Sequence, residues 1–202
     1  MNYSRGNVLV TSIGGSIMEL DKNTTALLVI DAIEAVGDDS LYDPDAATAA
    51  YRAAVARSVA ACHAAGIPVI YCNDAHVRGL DRELDLWGEH GVAGEVRVFP
   101  EIEQAPGDIT IPKRRYSGFF QTDLDLTLRE LGVKTVIAAG ADTNICVLHT
   151  LADAYFNNYA SVVVTDATMT FLCGTQEGAL EHCEKCYGSE LVTVAELEAA
   201  LA

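Results

Sequence analysis

The segment TVIAAGAD, residues 135–142, decides the fold class of this chain, because it is a continuous apolar run that ends in an acid. A continuous run of strand length, in contrast to an alternating one, is typical of a parallel β-strand that is covered on both faces. Further segments repeat this design or a shorter version of it, so the chain is predicted to build a mainly parallel sheet. They are ALLVID (26–31), IPVIYCND (67–74), SVVVTDAT (161–168), the shorter DITIPK (108–113) and residues 191–194 at a predicted sheet edge.

Helical segments separate the predicted strands. Each ends at Gly, Asn or a turn, and Gly66 and Gly132 lead directly from a helix into a strand. This alternation predicts an α/β fold: a single doubly wound domain over residues 1–202, with a mainly parallel sheet flanked by helices. Residues 1–24 are interpreted as an N-terminal extension, and an Ala-rich helical turn is expected at the end of the chain. The other predicted helices cover residues 45–65, 122–131, 144–158 and 175–186.

Composition and charge limit the partners that this chain can have. The 202 residues are 50% hydrophobic, which is enough for one sizeable core. The 13 Lys and Arg stand against 29 Asp and Glu, and the formal net charge of -16 repels phosphate backbones and anionic membrane surfaces. Apolar runs reach only strand length, and the N-terminus has no apolar signal region. We therefore expect a cytoplasmic protein with reduced cysteines that binds neither nucleic acid nor membranes.

Polar residues arrive at the ends of the predicted strands, where ligands bind in open parallel sheets. Asp31, Asp74 and Lys113 end three of the runs, and Cys146 follows a fourth. Cys146 lies in the first turn of a predicted helix, where the helix dipole favours a thiolate and backbone N–H groups are available for an oxyanion hole. Each residue also has an ordinary interpretation, as a buried apolar Cys, a helix-capping Asp or a solvated Lys. Together they predict nucleophilic cysteine chemistry, because an ammonium beside a carboxylate and a thiol stabilises the anions.

These motifs resemble the isochorismatase-like cysteine hydrolases, a family that includes nicotinamidases and several amide or carbamoyl hydrolases. The resemblance covers about residues 26–191 and rests on the strand that ends in Asp31, the lysine after ITIP at Lys113, and the GADTNICV turn with Cys146. It implies that the aspartate takes the thiol proton, that the lysine supports the charge, and that the thiolate attacks a carbonyl to give a thioester. It also implies a cis peptide before Asp142 and an oxyanion hole formed by the amides of Asp142 and Cys146.

A second motif predicts a metal site beside the nucleophile. Asp74 and His76 lie on the same side of an extended segment, because side chains alternate with a period of two. With Trp87 and His90 they resemble the D-x-H…W-x-x-H pattern of metal-containing nicotinamidases, and Glu83 matches a glutamate that some members add. The resemblance implies one divalent transition metal, for which zinc, iron and manganese are all suitable. In the alternative interpretation, the two histidines are solvated loop residues.

The substrate is the least determined part of the prediction. Trp87 and Phe120 are candidates for apolar walls around a flat ring, and nicotinamide or a similar small aromatic amide is the first predicted substrate. However, Val36 stands where nicotinamidases often have phenylalanine, and Ile33 replaces the glutamine of a D-x-Q motif that relatives often carry. The second prediction is therefore a metal-free hydrolase of an N-carbamoyl or ureido compound. The third is a binding module without turnover.

A C-x-x-C motif at Cys183 and Cys186 stands apart from these residues. With Cys173 it is open to interpretation as a zinc or redox site, but only half of a zinc pattern is present. We favour packing or incidental thiols. A homo-oligomer is expected from the family resemblance.

Overall fold

The computed structural model describes residues 7–11, 17–34 and 46–202, and strands alternate with helices along this part of the chain. The strands are β1 (Asn7–Thr11), β2 (Ile17–Asp21), β3 (Thr25–Ile30), β4 (Val69–Asp74), β5 (Ile109–Lys113), β6 (Thr135–Ala141), β7 (Ala160–Met169) and β8 (Glu190–Val192). The helices are α1 (Ala46–Ala65), α2 (Glu83–Trp87), α3 (Leu124–Glu130), α4 (Leu148–Phe156), α5 (Gln176–Tyr187) and α6 (Val194–Leu201). A π-helical turn at Thr143–Val147 precedes α4.

The central sheet has six strands in the order β5-β4-β3-β6-β7-β8, and all neighbours are parallel. This arrangement confirms the predicted α/β fold with a parallel sheet. In the register, Ile30 of β3 lies opposite Cys72 of β4 and Gly140 of β6, while Asp74 lies opposite Lys113 of β5. The carboxyl ends of the four strands that were predicted to carry polar residues therefore meet at one edge of the sheet.

Two hydrophobic cores cover the two faces of the sheet, which explains why the strands have continuous apolar runs. Along β3, Leu27 and Val29 pack in one core, together with residues of α1 and α6. Leu28 and Ile30 pack in the other core, against residues of α3, α4 and α5. Because both faces are buried, apolar side chains are favoured at every position and the alternation of a half-exposed strand is lost. No helix in the described part of the chain is long and apolar enough to cross a membrane.

Two parts of the structure were not predicted from the sequence. Strands β1 and β2 form an antiparallel pair, in which Asn7 lies opposite Asp21, inside the segment interpreted only as an extension. The irregular segment after β4 contains the short helix α2, which carries Glu83 and Trp87. The strands β1 and β2 and the helix α2 are each five residues long. Segments of this length are too short for a hydrophobic period to distinguish a strand or a helix from a loop.

Gly140 lies near the end of β6, opposite Ile30 of β3 and beside a register shift against β7. Its φ angle is 124°, and a Cβ atom at this position would lie 1.8 Å from the backbone oxygen of Ile30. A side chain is therefore excluded by both the backbone conformation and the approach of β3. The glycine brings the chain close enough to β3 to place the Cys146 turn next to Asp31.

Candidate active site

Three neighbouring strands and one turn supply the polar residues at the carboxyl edge of the sheet. Asp31 follows β3, Asp74 ends β4 and Lys113 ends β5, while Cys146 lies in the π-helical turn after β6. The backbone N–H of Asp74 donates to Asp31 Oδ1 at 2.7 Å. Because this contact joins the ends of β3 and β4, the two carboxylates lie side by side.

Lys113 is the centre of the cluster. Its side chain is fully buried, and Nζ lies 2.6 Å from Asp31 Oδ2 and 3.5 Å from Cys146 Sγ. Nζ also donates to Asp74 Oδ1, a contact that was not predicted. The structure therefore brings the predicted Asp31, Lys113 and Cys146 together and adds Asp74 as a second carboxylate on the same ammonium.

The charges in this cluster determine which groups are ionised. Burial raises the pKa of Asp31 to about 6, and the nearby Asp74 charge adds to the rise while Lys113 opposes it. Burial also opposes ionisation of Asp74, but Lys113 and the contact with His76 hold the pKa of Asp74 at about 2. Burial works against the ammonium of Lys113, yet the two carboxylates raise its pKa well above the usual value. At neutral pH the cluster holds one ammonium between two carboxylates.

The thiol of Cys146 differs from the expectation based on the helix dipole. Burial raises the pKa of the Cys146 thiol well above its usual value; Lys113 opposes this rise, and the charges of Asp31 and Asp74 add to it. The residue also sits within a π-helical turn rather than in the first turn of α4, which begins at Leu148. The direction of this pKa shift favours a neutral thiol beside an ionised carboxylate, and it is opposite to the effect expected from the helix dipole alone.

The turn that carries Cys146 is anchored by Asp142. The Ala141–Asp142 peptide is cis, as the family resemblance implies. The Asp142 side chain accepts hydrogen bonds from the backbone N–H of Asn144 at 2.8 Å, Phe171 at 2.7 Å and Leu172 at 2.8 Å. These bonds tie the Cys146 turn to the segment after β7. The oxyanion hole formed by the amides of Asp142 and Cys146 stays a prediction.

The predicted metal ligands also meet, on the other side of Asp74 from Lys113. One ligand atom each of Asp74, His76 and His90 lies within 4.8 Å of the others. Asp74 Oδ2 is 3.4 Å from His76 Nε2 and 3.7 Å from His90 Nε2. Glu83 Oε2 is 3.7 Å from His76 Nε2, and Glu83 is buried. Asp74, His76 and His90 thus form a three-ligand cluster, and Glu83 lies against His76 as a candidate fourth ligand.

The surroundings of the two histidines fit a divalent cation. His76 is fully buried, and among the described residues neither of its ring nitrogens has a hydrogen-bond partner. His90 Nδ1 donates to the carbonyl of Gly88 at 2.8 Å, which leaves the Nε2 lone pair directed to Asp74. Gly91 packs so tightly on Asp74 that an added Cβ would lie 2.3 Å from the Asp74 Cβ. An unpartnered buried imidazole is costly in free energy, and a cation at Nε2 would relieve part of that cost.

The predicted apolar walls are only partly assembled. Trp87 is half-buried on α2, and its Nε1–H donates to the hydroxyl of Tyr116 at 3.1 Å. Phe120 is 51% exposed, so its ring is a surface feature rather than a packed wall. Val36 lies outside the described residues. Tyr116 was not predicted as a site residue. Its position three residues after Lys113 indicates that it lies close to the end of β5 and therefore near the site.

The C-x-x-C motif is separate from both clusters. Cys183 is buried in the core on the helix-α5 side of the sheet, whereas Cys186 is exposed. In the part of the chain that the structure describes, no group of metal-ligating side chains includes either residue. This placement agrees with packing as the role of Cys183.

Comparison with known proteins matches the model of the isochorismatase domain to residues 25–196 of this chain. Ureidoacrylate amidohydrolase RutB of Methylorubrum extorquens is 34% identical, over 90% of this chain and 84% of the relative. The solved structure of N-carbamoylsarcosine amidase from Thermoplasma acidophilum is also 34% identical, with a TM-score of 0.72, and the match covers 85% of this chain and 96% of that chain.

The solved structure of nicotinamidase/pyrazinamidase PncA from Bacillus subtilis is less similar in sequence, at 26% identity, but has a TM-score of 0.73, and the match covers 84% of this chain and 99% of that chain. The family model spans most of the chain, including every predicted catalytic and metal-binding residue. The interpretation as a binding module without turnover is not supported by these relatives, which are named as enzymes. The chain therefore belongs to the isochorismatase family and is a hydrolase that acts on carbon–nitrogen bonds of non-peptide amides.

Proposed function

We propose that this amide hydrolase uses Cys146 as a nucleophile, with Asp31 as the base and Lys113 as the supporting charge. The observation that carries the proposal is the position of the buried Lys113 ammonium, 2.6 Å from Asp31 Oδ2 and 3.5 Å from Cys146 Sγ. A buried ammonium in contact with a thiol stabilises the negative charge that develops on sulfur during attack.

In the first half of the proposed reaction, the Asp31 carboxylate takes the Sγ proton of Cys146 as the sulfur attacks the amide carbonyl carbon. The tetrahedral intermediate places its negative oxygen against the backbone amides of Asp142 and Cys146. When it collapses, the C–N bond breaks, the Asp31 proton passes to the leaving nitrogen, and a thioester on Cys146 remains. The thiol is neutral before attack, so proton transfer to Asp31 is part of this step.

In the second half, water attacks the thioester while Asp31 again accepts a proton. The C–S bond then breaks, and the proton returns to the Cys146 sulfur as the acid product leaves. Lys113 keeps its proton throughout, because two carboxylates surround it. Its role is electrostatic in both halves of the reaction.

Asp74, His76, His90 and Glu83 are proposed to hold one divalent transition metal. When it is bound, such an ion supplies a Lewis acid beside the nucleophile. Two imidazoles with two carboxylates suit zinc, iron or manganese. The unpartnered nitrogens of the buried His76 support this assignment.

The geometry favours a small aromatic carboxamide, such as nicotinamide, as the substrate. The support is the metal cluster beside Lys113, together with the half-buried ring of Trp87 held by the Tyr116 hydroxyl. A flat aromatic ring offers such a site both an apolar face and a heteroatom lone pair. Cleavage would release ammonia and the aromatic acid.

A second substrate class, N-carbamoyl or ureido compounds, is favoured by sequence identity. The two relatives named for such substrates are 34% identical to this chain, compared with 26% for the nicotinamidase. In addition, Ile33 replaces the glutamine of the D-x-Q motif that relatives often carry, and this replacement also motivates the second substrate class. The two candidates share the proposed Cys146 chemistry and differ in the need for the metal.

An ammonia-release assay separates the two candidates. Purified protein is incubated with nicotinamide, pyrazinamide, ureidoacrylate and N-carbamoylsarcosine, before and after removal of metal with a chelator, and metal content is measured in parallel. Release from nicotinamide that is lost with the chelator and restored by Zn²⁺ or Mn²⁺ is the expected result. Release from the ureido compounds alone, unaffected by the chelator, would replace the first candidate with the second.

The rate of hydrolysis is expected to depend on pH through Asp31. The proposed base works only when it is ionised, and its pKa is raised to about 6 by burial. The ratio kcat/KM should therefore fall as the pH drops through about 6 and level off above it. Circular dichroism at each pH serves as the control for folding. A kcat/KM that stays constant from about pH 5 to pH 8, with the protein folded, would contradict the role of Asp31.

A further inference from the structure

Asp81 is a buried carboxylate that neither the proposed catalysis nor the proposed metal ligand set uses. Its side chain is fully buried, and Oδ2 faces His76 Nδ1 at a distance of 3.9 Å. This distance is too long for a hydrogen bond, and the Nδ1 atom of the buried His76 has no hydrogen-bond partner among the described residues. The opposite ring nitrogen, Nε2, faces Asp74 and Glu83. Asp81 therefore lies behind the imidazole, on the side away from the predicted metal.

Four hydrogen bonds fix the Asp81 carboxylate in place. The backbone N–H of Val77 donates to Oδ2 at 2.7 Å. Arg114 donates to both oxygens, with Nε at 2.9 Å and Nη2 at 2.7 Å, and Arg115 Nη1 donates to Oδ1 at 3.0 Å. A two-pronged arginine contact fixes the plane of a carboxylate as well as its position. The oxygen that faces His76 is thus held in place, so a hydrogen bond to it forms by movement of the imidazole.

These bonds also connect the two parts of the site. Arg114 and Arg115 follow Lys113 directly in the chain, and Asp81 lies in the loop between His76 and Glu83. The bonds to Asp81 therefore hold the loop with the predicted metal ligands against the end of β5, which carries the ammonium. The bond from the Val77 N–H also ties Asp81 to the residue directly after His76.

We propose that Asp81 is a positioning residue that orients His76, by accepting a hydrogen bond from Nδ1–H when Nε2 binds a divalent cation. Metal-bound histidines usually donate their other ring N–H to a carboxylate or carbonyl, which fixes the tautomer and makes the ligand more basic. His90 already has such a partner, because its Nδ1 donates to Gly88. Asp81 supplies the matching partner for His76. This inference rests on the proposed metal site but not on the identity of the substrate.

Zinc affinity of an Asp81→Asn variant tests the proposal. The asparagine amide has nearly the same size as the carboxylate but lacks its negative charge. It has a single oxygen, for which His76 Nδ1–H would compete with Arg114 and Arg115. We expect the dissociation constant for Zn²⁺, measured by competition with a chromophoric chelator, to rise by about 10- to 100-fold. Asp125→Asn is the matched control, since Asp125 also accepts from an arginine, Arg129, away from the site. Its dissociation constant should equal that of the wild type.

A second variant separates orientation of His76 from simple support of the loop. Arg114→Gln removes the arginine bonds to Asp81 but leaves the carboxylate opposite Nδ1, still held by Val77 and Arg115. This variant should lose clearly less zinc affinity than Asp81→Asn. Equal losses in the two variants would overturn the orienting role, because the loop alone would then explain the effect.

Nuclear magnetic resonance of ¹⁵N-histidine-labelled wild type gives a readout that does not require any variant to fold. In the Zn²⁺-loaded protein, His76 should be the Nδ1–H tautomer, with its proton shifted downfield by a charged acceptor. An Nε2–H tautomer of bound His76, or zinc affinity unchanged in folded Asp81→Asn, would overturn the proposal while leaving the metal site intact. A wild-type chain that binds no Zn²⁺ would instead remove the metal site, and with it this inference.

Discussion

Replacement of Cys146 by alanine is expected to abolish ammonia release from every amide that the wild-type chain hydrolyses. The proposed mechanism has no other atom that can form the thioester, so kcat should fall by about 10⁴-fold or more. The fold should persist, because alanine fits the same space and removes only one sulfur atom from the edge of the core. Initial rates of ammonia release and the thermal unfolding midpoint check the two parts of this prediction.

Cys62→Ala is the matched control for this loss. Cys62 is buried like Cys146, but it lies on α1 and packs in the core on the opposite face of the sheet. The control should lose some stability, as a large-to-small change in a core does, and keep its activity per folded molecule. If Cys146→Ala retained more than about a tenth of the wild-type rate, the nucleophile would have to be assigned elsewhere.

The sequence was sufficient to predict which residues assemble at the site. Asp31 and Asp74 stand at the ends of mainly apolar segments and Lys113 at the end of the shorter ITIP segment, and this position places a side chain at the carboxyl edge of a parallel sheet whatever the order of the strands. The glycine-containing turn before Cys146 gave the fourth position. The prediction that these four residues lie together depended only on local sequence patterns, and the structure places them together.

Contacts that depend on strand order were not predictable in the same way. The bond between Lys113 and Asp74 follows from the pairing of β4 with β5, which sets these two residues opposite one another. Asp81 and Tyr116 gained their partners for a similar reason, since each contacts an element that is distant in sequence. Local periodicity carries no information about which strands become neighbours.

The pKa of the Cys146 thiol was not predictable from the local sequence. Its position after a strand and near a helix start favoured a thiolate, because the helix dipole is a local property. In the folded chain, burial and the charges of Asp31 and Asp74 act on the same sulfur and raise its pKa. The combined effect of burial and these charges depends on tertiary packing, so the direction of the pKa shift follows only from the structure.

The second large effect is expected from Lys113→Met, which removes the ammonium but keeps most of the side-chain volume. Asp31 and Asp74 would then face each other in a buried site without a compensating cation. Removing one partner of a buried ion pair costs about 3–5 kcal/mol, so we expect the free energy of unfolding at pH 7 to fall by that amount. Activity should be lost as well, because the charge that stabilises the Cys146 sulfur is gone. Urea denaturation in the presence of a chelator measures the loss of stability.

Two further variants show whether the loss of stability comes from the unpaired carboxylates. Lys185→Met removes a surface lysine that forms an ion pair with Glu181, four residues away on the same helix, and should change stability by less than about 0.5 kcal/mol. Adding Asp31→Asn and Asp74→Asn to Lys113→Met removes the buried negative charges, so the triple variant should recover most of the lost stability while remaining inactive. A triple variant as unstable as Lys113→Met would mean that the lysine stabilises the fold through its packing, and the electrostatic account of the cluster would fail.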